Sequence, residues 1–525
     1  MFQIEEYSFP TDTYGSKEYV HNWPMLYILE NGKLAYVGQT HSIIQRMNQH
    51  KDTKSKQQFN KVHIIYSDQF NQSVTFDYES RLISLMAADR KFLLTNRNAG
   101  LAGINYYRKD AYDLEFNALW QELQKRNLVV HSIDEIEQSD LFKYSPYKSL
   151  TNEQRNIVTE IVDNLRKNLE RNIVIRGMPG SGKTIVAVYL MKLLRESPGF
   201  KDYRIGMVIP PTSLRATMQA VFKTVNGLSP KDIYGPNDIA DGKFDILIVD
   251  EAHRLKERKN LSDYKSYDET CKKIGLPNTS TQLDWILKQS KCSVFFCDEG
   301  QIVFPAGLDV GHLLNNDPFG QRMLAYYTLY SQMRCKAGTE YLKDLRALLH
   351  NQMDHPAVYE NYEFSIVKDF SEFQKLYRIK EQKHGLSRMI AGYAWKWESK
   401  TDKTAFDIEI EGQQLKWNSV LKNWVHSPNA CNEVGCIHST QGYDLNYGFV
   451  ILGKDICYDN KKHQVITVRE SYYDKYGKQG ATDSELDAYI KNIYYVLLSR
   501  GVLGTYLYVC DESLREYLEQ YIPVI

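Results

Sequence analysis

The sequence predicts an α/β protein in which a small mixed α/β unit precedes two lobes built on parallel sheets. Three observations carry this expectation. Two short β-type runs, residues 25–29 and 34–38, are joined by Asn31-Gly32, a strong hairpin turn, and are followed by helical stretches. Residues 172–184, NIVIRGMPGSGKT, read as a buried strand, a glycine-rich loop and the start of a helix. From residue 150 to the end, apolar strand-like runs alternate with helical stretches, the pattern of parallel sheets covered by helices.

A chain of 525 residues is too long for one hydrophobic core. The expected divisions are a mixed unit over 20–105, a helix-prone connector over 106–149, a first lobe over 150–330 and a second over 331–525. The connector's apolar positions are Leu114, Phe116, Leu119, Trp120 and Leu123. With 43% apolar and 25% charged residues, the composition excludes disordered and fibrous classes. The first ten residues carry Glu5 and Glu6 and no basic residue, unlike a signal peptide. No apolar run approaches the roughly 18 residues of a membrane span. A cytoplasmic protein with no membrane partner is expected. The formal net charge is zero, so a nucleic-acid partner must rest on local patches. Lys51, Lys54, Lys56 and Lys61 form one, and Arg254, Lys256, Arg258 and Lys259 another; each reads equally well as a solvated loop. The eight cysteines include no C-x-x-C pair, which fits free thiols.

Gly177 to Thr184 matches G-x-x-x-x-G-K-[ST] at every position. Gly177, Gly180, Ser181 and Gly182 would let backbone N–H groups curl around phosphates, with the following helix presenting its positive end. Lys183 would reach the β- and γ-phosphates of ATP, and the Thr184 hydroxyl would ligate Mg²⁺. Residues 246–253, ILIVDEAH, are a central strand ending in two carboxylates, where open α/β sheets bind ligands. Asp250 would hold the Mg²⁺ shell, and Glu251 would orient and deprotonate the attacking water. A third apolar run ends in Asp298-Glu299-Gly300-Gln301, which places Gln301 near the γ-phosphate or simply makes a turn. Thr151-Asn152-Glu153-Gln154 is a capping box. Gln154 also resembles the adenine-reading glutamine of superfamily 1 helicases.

In the second lobe, Ser331-Gln332-Met333-Arg334, the run from Cys436 to Gly442 and Leu498-Ser499-Arg500-Gly501 resemble helicase motifs four, five and six. A motor of this kind needs arginines from the opposite lobe against the γ-phosphate, and Arg334 and Arg500 are the candidates. The chain from Leu150 onward is similar to the superfamily 1 DNA/RNA helicase-like domain found at the C-terminus of Schlafen proteins. The specific part runs from Asn432 to Tyr447, preceded by Trp395, Trp397, Trp417 and Trp424. Those rings read as base-stacking residues or as a hairpin packed on its own lobe. The resemblance implies two RecA-like lobes. The stretch between Thr184 and Asp250 is too short for a large accessory domain, which favours translocation over vigorous unwinding.

In the N-terminal unit, Tyr27, Tyr36-Val37-Gly38, Arg46, His50, Glu79 and Asn96 occur in an order that resembles the GIY-YIG nuclease domain. The resemblance implies that Tyr27 and Tyr36 help activate water and that Arg46 stabilises the phosphate. It implies that Glu79 anchors a divalent metal, Mg²⁺ or Mn²⁺, and that Asn96, with Asn98 as rival, orients the site. His50 is a candidate proton acceptor. Met25 stands where the family's first glycine would be. The combined expectation is a nucleic-acid-dependent ATPase fused to an endonuclease, acting on DNA in defence or repair. Its rivals are a non-cleaving translocase and an ATP-gated switch whose N-terminal unit only binds nucleic acid.

Overall fold

The computed structural model describes all residues except 1, 12–13, 15–21, 97–105, 145–149, 262, 309, 311–321, 333–334, 422–423 and 441. The chain divides into two compact units. One comprises Met1–Glu160, Val188–Lys201 and Met218–Asp232, and the other Ile161–Ala187, Asp202–Thr217 and Ile233–Ile525.

The N-terminal sheet holds β1 (Gln3–Ser8), β2 (Met25–Glu30), β3 (Leu34–Thr40), β4 (Lys61–Tyr66) and β5 (Leu93–Leu94), in the order β1-β4-β2-β3-β5. The hairpin between β2 and β3 turns at Asn31-Gly32. Asn31 Oδ1 accepts the N–H groups of Lys33 and Leu34, and Gly32 takes a φ of 82° that side chains disfavour. β1 lies outside the expected 20–105 range; it pairs antiparallel with β4 and covers what would otherwise be an open edge. Met25 is a buried first residue of β2.

The helix carrying Glu79 runs Gln72–Asp89 and is capped by the Asn71 side chain, which accepts the Val74 N–H. Glu79 therefore sits two turns inside this helix. The expected connector does not stand apart from the N-terminal unit. Helix Lys109–Lys125 buries Phe116, Leu119, Trp120 and Leu123, a stripe at helical spacing. Leu114, counted with them from sequence, is 73% exposed. Tyr78 donates to the Tyr112 carbonyl at 2.6 Å, Arg81 meets Asp113 at 2.7 Å, and Asp89 accepts the Val130 and His131 N–H groups. The bonds to Tyr112 and Asp113 fasten the helix, and those to Val130 and His131 the stretch after it, to Gln72–Asp89.

The larger unit contains two sheets. The first joins β6 (Arg171–Gly177), β7 (Ile205–Val208), β8 (Ile233–Tyr234), β9 (Phe244–Val249), β10 (Ser290–Cys297) and β11 (Met323–Leu329) in the order β11-β6-β10-β9-β7-β8, every pair parallel. The second draws on β12 (Glu363–Ile366), β13 (Ser387–Ala391), β14 (Ile408–Ile410), β15 (Gln413–Trp417), β16 (Glu433–Gly435) and β17 (Leu445–Leu452). After the separate ribbon of β18 (Ile456–Asp459) and β19 (Gln464–Thr467), it is completed by β20 (Gly501–Val509). Its order is β12-β20-β17-β13-β16-β15-β14, parallel except for the β14–β15 hairpin. Ile173, Val174, Ile175 and Ile246 to Val249 are fully buried, which is why these strands read as unbroken aliphatic runs. Trp417 and Trp424 are likewise buried in their own lobe, with Trp395 and Trp397 half-buried against the same core. Among the described residues, no helix is long and apolar enough to cross a membrane.

Asp455, between β17 and β18, is fully buried. Tyr494 donates to its Oδ1 at 2.5 Å, and its Oδ2 has no hydrogen-bond partner. Burial raises its carboxyl to about 7. In the unfolded chain it would titrate near 3.8, so the fold holds a proton there that the unfolded chain releases. Its stabilising contribution is full at acid pH and is lost as pH rises toward 7. Asp455→Asn keeps the shape and removes the charge. Its melting temperature should fall less than that of wild type between pH 5 and 8; parallel curves for the two proteins would refute this.

Candidate functional sites

Three strand tips meet at the centre of the first parallel sheet. β6 runs into the glycine loop, β9 ends at Asp250, and β10, paired with both, ends at Asp298. Gly180 and Gly182 both adopt φ 80°, the conformation that lets the loop's N–H groups point inward. A side chain at Gly177 would collide with Ser181. Lys183, at the start of helix Lys183–Glu196, donates to the carbonyls of Gly177 at 2.6 Å and Met178 at 3.0 Å, and lies 3.4 Å from Asp298 Oδ2.

Asp250 is fully buried with the Thr184 hydroxyl beside it, yet neither carboxylate oxygen engages in a well-aligned hydrogen bond. Burial and the neighbouring Glu251 push its carboxyl well above the usual range. An orphaned buried carboxylate next to a hydroxyl is a hard-oxygen donor set that fits Mg²⁺. Glu251 takes a left-handed backbone, φ 50°, the kind of local strain that gathers at functional sites. Burial alone would raise its carboxyl, but His253, Lys183 and Arg500 outweigh burial and hold it below the usual range.

His253 escaped the sequence reading. Its Nδ1 accepts the Asp298 N–H at 3.3 Å, which leaves Nε2 to carry the hydrogen facing Glu251 Oε2 at 3.1 Å. The imidazole thus faces the glutamate from the side of Asp298. Gln301 donates to Asp298 Oδ2 at 2.8 Å, and its Oε1 accepts from Arg500 at 3.4 Å. Arg500, 1% exposed, also donates to the carbonyls of Val496 and Tyr443. An arginine of the second lobe therefore reaches the first-lobe turn expected beside the γ-phosphate. Gln332 adds a second crossing by donating to the Pro179 carbonyl of the glycine loop at 2.8 Å. Arg334 lies outside the described residues, as does Gln441. Gln154 sits in a formed capping box: Thr151 N–H donates to its Oε1 at 3.0 Å. Reading an adenine would require opening that box.

The N-terminal sheet carries a separate pocket. In the β2–β3 ladder Tyr27 lies opposite Gly38, where any side chain would collide with the Tyr27 hydroxyl. That hydroxyl lies 2.8 Å from His50 Nε2 and accepts from Arg46 Nε at 3.1 Å. The Tyr36 ring stands 6.3 Å from that of Tyr27 and 5.4 Å from that of His50. Burial, then Arg46 and Lys56, lower His50 to about 4; it is neutral near pH 7 and able to accept a proton. Burial raises Glu79 to about 7 against the opposing pull of the Gln39 N–H and Arg46. Asn96 spends both ends of its amide on Val37, accepting from the N–H at 3.0 Å and donating to the carbonyl at 2.7 Å. It holds the strand between Tyr36 and Gly38. Its rival Asn98 lies outside the described residues. Glu79 offers one carboxylate, which suits a cation that keeps its waters and shares the substrate's phosphate. Among the described residues no group of three or more His, Cys, Asp or Glu is arranged to hold a metal.

Two parallel-sheet lobes, a phosphate loop after β6, a carboxylate pair at the tip of β9 and an arginine reaching across define a helicase-type P-loop NTPase. The family model "Schlafen group 3, DNA/RNA helicase domain" matches residues 170–511. That is more than half of the chain, and the protein belongs to this family. Uncharacterized protein YPL245W of Saccharomyces cerevisiae is 25% identical over 425 residues, covering 70% of this chain and 90% of the yeast protein. Among solved structures, the Pif1 helicase of Candida albicans is similar at 12% identity, with 71% of this chain and 99% of that chain covered and a TM-score of 0.30. A Bacteroides Pif1 bound to ssDNA is 13% identical, with 68% and 92% covered and a TM-score of 0.28. Likenesses this slight carry no functional argument.

Proposed function

We propose that this protein is a nucleic-acid-dependent ATPase whose N-terminal unit is a metal-dependent endonuclease, acting on DNA in defence or repair. The family's description as a DNA/RNA helicase domain supports nucleic acid as the partner. In the motor, Lys183 and the loop amides bind the ATP phosphates, Glu251 deprotonates the attacking water, and Arg500 and Gln301 meet the charge that develops on the γ-phosphate. Thr184 and Asp250 would hold Mg²⁺, which supplies charge neutralisation to the phosphates.

The observation that carries the nuclease reading is the meeting of Arg46 and His50 on one tyrosine hydroxyl, that of Tyr27. A neutral His50 takes a proton through Tyr27 or Tyr36, Arg46 faces the phosphate, and Glu79 would hold Mg²⁺ or Mn²⁺. The test is cleavage of labelled DNA and RNA with no nucleotide, with ATP and with a non-hydrolysable analogue. Metal-dependent nicking of DNA is expected, with a rate or pattern that changes with nucleotide. Identical patterns in all three states would show the two activities to be uncoupled. No cleavage under either metal would reduce the N-terminal unit to a binding module.

A further inference from the structure

The basic run of the N-terminal unit divides in the fold. Lys51 and Lys54 are exposed, and Lys61 pairs with Glu6 at 2.9 Å. Lys56 instead turns inward. The turn Lys54–Lys56 is closed by the Lys56 N–H on the Thr53 carbonyl at 2.8 Å. This leaves the side chain 9% exposed, with Nζ 2.9 Å from the centroid of the Tyr36 ring and 5.7 Å from that of Phe59. Lysines on loops ordinarily extend their ammonium into water. One held over an aromatic face in a pocket with Tyr27, His50 and Arg46 is placed by the fold. The charges around the pocket favour an anion. Arg46 and Lys56 both lie close enough to act on His50.

We propose that Lys56 is a second phosphate-holding cation of this pocket, its ammonium receiving a non-bridging oxygen of a nucleic-acid phosphodiester while Arg46 takes another. The proposal rests on the nuclease reading above and adds a positioning residue to it. Lys56 reaches the site from beyond the helix Ile43–Lys51 that carries Arg46 and His50, away from the tyrosine strands, so motif order does not reveal it.

The test compares the full-length chain with Lys56→Met, which keeps the packing on Tyr36, and with Lys56→Arg, which keeps the charge. Each is assayed for single-turnover nicking of a labelled DNA duplex in Mg²⁺ and in Mn²⁺, with motor ATPase in the same preparation as the check of folding. Lys56→Met is expected to lose roughly 100-fold in nicking, the loss that follows removal of one charge-stabilising donor, and Lys56→Arg to return to within about 3-fold of wild type. Nicking by Lys56→Met within about 2-fold of wild type, with Glu79→Ala inactive, overturns the proposal and leaves the nuclease reading standing. A loss that arginine does not rescue assigns Lys56 to packing and overturns it equally. A wild type that cuts with neither metal removes both readings together.

Discussion

Glu251→Gln should bind ATP with near-native affinity and hydrolyse it roughly 1,000-fold more slowly, within the 10²–10⁴ range of a lost general base. The amide keeps the size of the side chain and can still face His253 Nε2, which lies 3.1 Å from the carboxylate. What it cannot do is take a proton from water. Asp250 and Thr184 are untouched, so the cation site stays intact. Lys183→Ala should instead abolish turnover by weakening the hold on the phosphates themselves, since Lys183 sits at the mouth of the loop on the Gly177 and Met178 carbonyls. Phosphate release in the presence of single-stranded nucleic acid, alongside fluorescent-nucleotide binding, separates the two defects. Native turnover in either variant would sink the assignment of this cleft as the hydrolytic site.

Glu79→Ala should remove metal-dependent nicking from the N-terminal unit by several orders of magnitude while nucleic-acid binding survives. Arg46→Ala should do the same by removing positive charge from the phosphate in flight. The raised carboxyl of Glu79, about 7, adds a pH signature. Its charged form is the one that binds a cation, so proton and metal compete. The Mn²⁺ concentration needed for half-maximal nicking should therefore fall as pH rises from about 6 to about 8. A metal requirement independent of pH would show that Glu79 does not carry the metal, and full nicking by Glu79→Ala would take it out of the reaction.

The readable parts of this molecule are those whose chemistry is local in sequence. The glycine loop is legible because Gly180 and Gly182 supply left-handed backbone where the phosphates require it. The hairpin is legible because Asn31-Gly32 makes its own turn. The fully buried aliphatic stretch Ile246 to Val249 marks a central parallel strand ending at Asp250. What stayed hidden depends on partners brought from far along the chain. His253 gains its role only because β10 lies beside β9 and offers the Asp298 N–H. Gln332 reads as part of the motif that ends in Arg334, since nothing local tells that its amide meets Pro179. The Glu79 helix begins at Gln72 because the Asn71 side chain accepts the Val74 N–H, a role that an asparagine in a loop does not announce. Lys56 looked like its solvated neighbours until the turn folded it inward.

Arg500 binds the Tyr443 carbonyl, just before β17 in the second lobe, and Gln301, in the first lobe, with one guanidinium. A planar cation cannot shift toward one acceptor without changing its angle to the other. If a strand seated near Tyr443 tightens the grip on nucleotide by some factor, nucleotide must tighten the grip on the strand by that same factor, because equilibrium linkage is symmetric. The arginine is then a hinge of information with no preferred direction. Shortening it to lysine, which has no fork to span two acceptors, should make the protein deaf from both sides at once, even where each ligand alone still binds.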